Sequence, residues 1–197
     1  GELGTHTVRV ANTSACTNGE ISETACGFVV EFADIVSKHQ MNSTSTNVGG
    51  WPASELRTYV NDTVYNSLPD DLQNVIATTK VISGHGSTEG EENFTSSDKL
   101  YLFSTKELWG KDGTSSVIKY DTAEAETRQL DYYKNKGVTT SNYSEVAKKY
   151  EGSDSGLWLR SAYSSITNRF LIVGSNGAWS YSNANGTLGI SPAFRVA

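Results

Sequence analysis

Asn176-Gly177 lies between two short runs rich in β-forming residues, Arg169 to Val173 and Ala178 to Tyr181. A two-residue Asn-Gly link supplies the left-handed backbone of a tight hairpin turn, so the flanking runs are expected to pair antiparallel. Asn185-Gly186 repeats the signal, and Trp158 to Arg160 and Ala193 to Val196 are also strand-like. The stretch from Trp158 to Val196 is therefore expected to be antiparallel sheet, which limits what the rest of the chain can pack against.

The preceding residues supply different elements. Val8 to Val10 and Phe28 to Val36 carry the β-branched and aromatic residues of half-buried strands, with a turn signal at Asn18-Gly19. Met41 to Gly50 reads as a loop. Pro52 suits a first helical turn, followed by an apolar stripe at Leu56, Tyr59 and Val60. A second helix is expected to open at Ser67, with Asp70 and Asp71 in its first turn and Leu72, Val75 and Ile76 as its buried face. Ser83 to Asp98 is almost without apolar residues and reads as a long loop. Leu100 to Phe103 reads as a strand, and Glu107 to Trp109 as one helical turn. Thr122 to Lys136 and Ser141 to Tyr150 read as helices that end at glycines. The expected fold is α+β, one domain over 1–197 with antiparallel strands, two to four helices and long irregular loops.

Composition narrows the partners. Sixty of the 197 residues are Ser, Thr or Asn, while ten Tyr and four Trp argue for a folded chain. The net charge of −6 and the lack of any Lys/Arg run argue against nucleic acid, and no apolar stretch has the length of a membrane span. Cys16 and Cys26 are the only cysteines. Bridged, they would staple an N-terminal hairpin for about 2–3 kcal/mol; the alternative is two free thiols.

Residues for catalysis are sparse. His6, His39 and His85 have no metal-ligand or triad spacing, and His85 reads as an exposed loop residue. Glu89, Glu91, Glu92 and Asp98 cluster in the long loop, Glu31 and Asp34 lie near a strand, and Glu124 and Glu126 on a helix. No spacing sets two of them as a glycosidase pair, and no calcium-ligand ladder is present. No cofactor or metal is expected. Trp51, Trp109 and Trp158 read as core. Trp179 and Tyr181 alternate along one strand and so share a face; Tyr163, Arg169, Asn176, Asn183 and Asn185 lie in the flanking turns. Aromatic rings beside amides and a guanidinium suit a sugar or peptide site, although core packing is the commoner fate of such a pair.

Six blocks carry a resemblance: Asn47-Val48-Gly49-Gly50-Trp51, Ser54-Glu55-Leu56-Arg57, Leu68-Pro69-Asp70-Asp71-Leu72-Gln73, Ser97-Asp98-Lys99-Leu100-Tyr101-Leu102, Trp158-Leu159-Arg160-Ser161-Ala162 and Ser191-Pro192-Ala193-Phe194-Arg195-Val196. From about Phe28 onward the chain resembles an uncharacterised domain of surface proteins in Gram-positive gut bacteria. More distantly, the order of elements is similar to the C-type-lectin-like fold shared with formylglycine-generating enzymes. That resemblance implies a ligand face between Tyr163 and Gly189. The Glu-Pro-Asn and Trp-Asn-Asp triplets of calcium-dependent lectins are absent, and neither cysteine lies where the enzyme branch uses one. The expected function is an extracellular or cell-surface binding and adhesion module, possible ligands being a glycan, a surface protein or a wall component. The alternatives are a carboxylate-dependent glycoside hydrolase using the Glu89–Asp98 loop, and a structural spacer without ligand.

Overall fold

The computed structural model describes residues 3–110 and 117–197. The fold is α+β, with mostly antiparallel strands in two principal sheets and four short α-helices among the described residues. The first sheet has the order β1-β2-β13-β4, from β1 (Val8–Asn12), β2 (Val29–Phe32), β13 (Ala193–Val196) and β4 (Ile76–Ala77). The second has the order β11-β10-β9-β12-β3, from β3 (Ser37–Gln40), β9 (Leu157–Ala162), β10 (Arg169–Val173), β11 (Trp179–Asn183) and β12 (Thr187–Ile190). Two hairpins complete the strands: β5 (Thr79–Ser83) with β6 (Phe94–Asp98), and β7 (Lys148–Tyr150) with β8 (Ser153–Ser155). One hydrophobic cluster, containing Trp51, Trp109, Trp158, Phe170 and Phe194, joins the layers.

The Asn176-Gly177 hairpin forms, pairing β10 with β11 from Val173↔Trp179 to Arg169↔Asn183, but its turn is longer than the two residues expected: Gly174 N donates to the Ala178 carbonyl, and Gly177 has positive φ while Asn176 does not. Gly177 has φ +89°, and a Cβ there would lie 2.1 Å from the Tyr143 carbonyl oxygen, so both conformation and space require glycine. The end of the meander departs from expectation. β12, unread in the sequence, passes beside β3 and touches β9 in parallel, so β13 leaves for the other sheet. The close approach depends on Gly189, where a Cβ would lie 2.5 Å from Ile35 Cδ1. The strand expected over Phe28 to Val36 is shortened to β2, ending at Phe32, and β3, which begins only at Ser37, joins the other sheet.

The first helix, α1 (Glu55–Tyr59), runs on into a π-helical turn at Val60–Val64, whereas the helices expected from Ser67 and Thr122 are shorter than their patterns suggest. α1 is capped by Ser54, whose hydroxyl accepts from Arg57 N at 3.1 Å; Leu56 and Val60 are buried and Tyr59 packs against the core. α2 (Asp70–Val75) starts later than Ser67, whose hydroxyl turns back to donate to the Val64 carbonyl at 2.6 Å. Val75 on α2 is exposed, and Ile76 leaves the helix for β4. α3 (Thr105–Trp109) ends at Gly110. In place of a helix over Thr122 to Lys136 there is a single 3₁₀ turn at Glu124–Glu126 and α4 (Asp131–Asn135). Ser141 to Tyr150 gives a 3₁₀ turn and then β7. The long polar loop is also shorter, because its last residues form β6.

Cys16 and Cys26 are joined as a disulfide with a Cα–Cα distance of 5.0 Å, closing the connection between β1 and β2. No helix among the described residues is long and apolar enough to cross a membrane.

Candidate functional site

Much of the chain's charge is spent on structure. Arg160 and Glu107 form a bidentate pair, both contacts 2.6 Å, with each side chain at most 1% exposed. A register shift where β9 meets β10 accompanies this pair, and Ser161, next in the strand, donates to Asp121. Arg160 outweighs the upward push of burial and holds the Glu107 carboxyl below its ordinary range, whereas burial dominates at Asp121 and raises it. A second buried group joins Glu31 to Lys148 (2.5 Å), Arg9 (2.8 Å) and the Tyr133 hydroxyl, and Lys148 also donates to Ser191 at 2.7 Å. Asp98 accepts from Trp51 Nε1 at 2.8 Å and Arg57 Nε at 2.7 Å. Five of the six sequence blocks therefore contribute to these polar knots: Trp51, Arg57 and Asp98 to one, Arg160 to another and Ser191 to the third.

This disposes differently of the acidic candidates. Glu89, Glu91 and Glu92 are exposed, but Asp98 is buried and triply engaged, with Ser96 as its third donor. Glu31 is buried; Asp34 accepts from Lys149 N at 3.0 Å. Among the described residues no group of three or more His, Cys, Asp or Glu could hold a metal ion. His85, expected to be exposed, is half-buried, and its backbone N–H donates to Thr122 Oγ1 at 3.0 Å. Trp51, Trp109 and Trp158 are core, as expected.

The β10–β11 face gathers most of the predicted site residues. Trp179, Tyr181 and Asn183 lie opposite Val173, Leu171 and Arg169, so all three side chains leave β11 on one side. Tyr181 is 42% exposed. Its ring stacks on Tyr163, with centroids 5.4 Å apart and planes within 10°. The Arg169 guanidinium carbon is 4.6 Å from the Tyr181 centroid, and Arg169 Nε donates to Asn183 Oδ1 at 3.1 Å. Trp179, half-buried, lies further along the strand. Asn176 stands apart, because its Oδ1 accepts from Ala178 N at 3.1 Å within the turn at the other end of the hairpin. Asn185 is exposed beyond β11, and its carbonyl accepts from Gln40 Nε2 at 2.7 Å.

Two contributors were not legible in the sequence. Tyr120 links the separated aromatics, 4.9 Å from Tyr163 edge-on and 6.4 Å from Trp179. The exposed Lys119 has its Nζ 5.1 Å from the Tyr120 centroid. A bond from Ser164 N to the Tyr120 carbonyl, 3.0 Å, holds this segment against the turn after β9. Asn47 shapes the same turn, its Nδ2 reaching the carbonyls of Tyr163, Ile166 and Arg169 at 2.9–3.1 Å. Only long-range packing brings these residues together, so a local pattern carries no signal for them. Burial, helped by Tyr120 and Tyr181, pushes the Tyr163 hydroxyl above its ordinary range. The result is a row of four aromatic rings, Trp179, Tyr120, Tyr163 and Tyr181, with Arg169 against the last, Lys119 beside Tyr120 and the Asn183 amide at the rim.

Larger clefts lie elsewhere. One of about 510 Å³ is lined by His6, Asp34, Lys149 and Glu151, and another of about 340 Å³ by Leu3, Phe32, Val64 and Leu72. Neither combines exposed aromatic stacking with an open guanidinium.

Comparison with known proteins gives a family and no activity. No curated protein and no solved structure matches the chain. The model of a domain of unknown function, DUF6273, matches residues 28–197, which takes in both principal sheets except β1, together with every residue of the aromatic row. The chain belongs to the DUF6273 family.

Proposed function

We propose that this chain is a binding module, extracellular or at a cell surface, whose ligand lies against the β10–β11 face. The observation that carries this reading is Tyr181: a large ring left 42% exposed although Tyr163 and Arg169 both pack against it. Exposed aromatics ordered by neighbours and ringed by amides offer contact area at little entropic cost. A glycan, a protein or a wall component each fits that description. The disulfide supports an oxidising, extracytoplasmic setting. The return of β13 beside β2 favours the lectin-like layout, and the role of adhesion domain on a bacterial surface belongs to the same reading.

The hydrolase alternative is weakened by Asp98, whose carboxylate is tied to Trp51 and Arg57. The spacer alternative leaves the ordered exposure of Tyr181 without a role.

The test is a glycan and host-protein array probed with the native chain and with Trp179→Ala and Tyr181→Ala. Binding that is lost in both variants supports the site; binding that survives both places it elsewhere. Turnover of a glycoside panel that disappears in Glu92→Gln would establish the hydrolase instead.

A further inference from the structure

The six arginines of this chain are not used alike. Arg9 pairs with Glu31, Arg57 with Asp98, Arg128 with Asp131, Arg160 with Glu107 and Arg195 with Glu23. Arg169 alone has no carboxylate partner among the described residues, in a chain with 22 Asp and Glu and a net charge of −6. Its single side-chain hydrogen bond goes from Nε to the neutral amide of Asn183. That bond and the Tyr181 ring fix the guanidinium plane, while Nη1 and Nη2 have no partner among the described residues. A planar fork held by Nε with both terminal nitrogens open is the donor arrangement that binds a carboxylate through two parallel bonds.

The surroundings say what carries the carboxylate. Lys119, beside Tyr120 within the aromatic row, adds a second positive charge, and among the described residues it too has no ion pair. Asn183 and Asn185 offer donors and acceptors of the kind that exchange bonds with hydroxyls. A peptide is ordinarily anchored by a side chain sunk in a pocket, whereas the larger clefts open elsewhere. With Tyr163 stacked on its ring and Arg169 lying over it, Tyr181 presents an edge and a hydroxyl rather than a bare stacking face.

We infer that the β10–β11 face selects an acidic saccharide, with Arg169 gripping the carboxylate of a uronate or sialate unit and Tyr181 and Asn183 bordering its ring. The inference rests on the binding-module reading above and specifies its ligand.

The experiment compares pairs of probes that differ only in charge. Oligogalacturonate is set against its carboxyl-reduced counterpart, and sialyllactose against its sialic-acid amide, by calorimetric titration into the full chain at low and at physiological salt. At least one acidic member is expected to bind about tenfold or more tightly than its neutral twin, and to weaken with added salt. Arg169→Gln is expected to erase that difference with its thermal midpoint unchanged, and Arg169→Lys to restore it only in part, since an ammonium has no planar fork. Lys119→Gln, at an exposed position, is expected to reduce the preference by a smaller factor. Equal binding of acidic and neutral twins, abolished by Tyr181→Ala, would overturn the acidic inference and leave the binding-module reading standing. Acidic binding that ignores Arg169→Gln, or binding to acidic peptides instead of these sugars, would also overturn it. No binding to any of the four probes would overturn it as well, with the array above remaining as the separate test of the module.

Discussion

Replacing Glu107 by Gln removes one negative charge and almost no volume from the middle of the molecule. The native carboxylate receives both terminal nitrogens of Arg160 at 2.6 Å, Thr127 Oγ1 at 2.8 Å, Ser104 N at 2.9 Å and the Thr24 hydroxyl. Neither member of the pair sees solvent, so an amide leaves the guanidinium charged, buried and without a counter-ion. Breaking such a pair from one side costs about 3–5 kcal/mol, a large share of the roughly 5–15 kcal/mol that holds a domain folded. Urea unfolding followed by tryptophan fluorescence should show the midpoint falling by roughly 2 M, taking a slope of about 2 kcal/mol per molar. The sign of the pH dependence follows from the shift. Glu107 titrates below its ordinary value of 4.5 in the folded chain, so its contribution is complete above the unfolded value and is lost as pH falls through the folded one. The gap between native chain and variant should therefore be widest at neutral pH and close in acid. Asp121, raised first by its own burial and only in small part by the Glu107 charge, acts in the opposite sense, and comparison at matched pH removes most of its effect. The doubly apolar variant Glu107→Leu with Arg160→Met should recover most of the loss. A loss under about 1 kcal/mol, or a gap that does not narrow in acid, would refute the reasoning.

Other outcomes follow from the same structure. Gly177→Ala must adopt a positive φ and displace the Tyr143 carbonyl, so it should cost about 2–3 kcal/mol in chemical denaturation, where Gly19→Ala, with the same sign of φ but open space, should cost less. Reduction of Cys16–Cys26 should lower stability by about 2–3 kcal/mol, read as a drop in thermal midpoint on adding reductant. Tyr181→Ala should cost no more than about 2 kcal/mol, the worth of an exposed ring stacked on Tyr163 and covered by the Arg169 guanidinium, while binding to the array is lost.

What the sequence made legible was local, and what it hid was held by distant partners. The β10–β11 hairpin could be read because Asn176-Gly177 and the alternation of Trp179 and Tyr181 specify turn and register within a dozen residues. Ser141 to Tyr150 has helical spacing, yet Lys148 is drawn out by Glu31 and Ser191, 117 and 43 positions away, and its segment pairs with β8 instead. β6 is polar throughout its centre and was read as loop; its pairing with β5, and Asp98's bonds to Trp51 and Arg57, hold it extended. β12 carries Gly189, which weakens any strand signal and is required by contact with Ile35. At the site, Trp179, Tyr181, Arg169 and Asn183 were legible as one strand pair. Tyr120 and Lys119, about fifty positions earlier, reach it only through the folded chain.

Trp179 makes the central claim directly measurable. Trp51, Trp109 and Trp158 are at most 1% exposed, so among the four tryptophans only Trp179 is open to a quencher. Acrylamide quenching of tryptophan emission, titrated with whichever array ligand binds, reports on that one ring. If the β10–β11 face is the site, ligand should shield the quenchable fraction in proportion to saturation, and Trp179→Phe should abolish the quenchable signal. A ligand that saturates the chain and leaves Trp179 as quenchable as before would contradict the account.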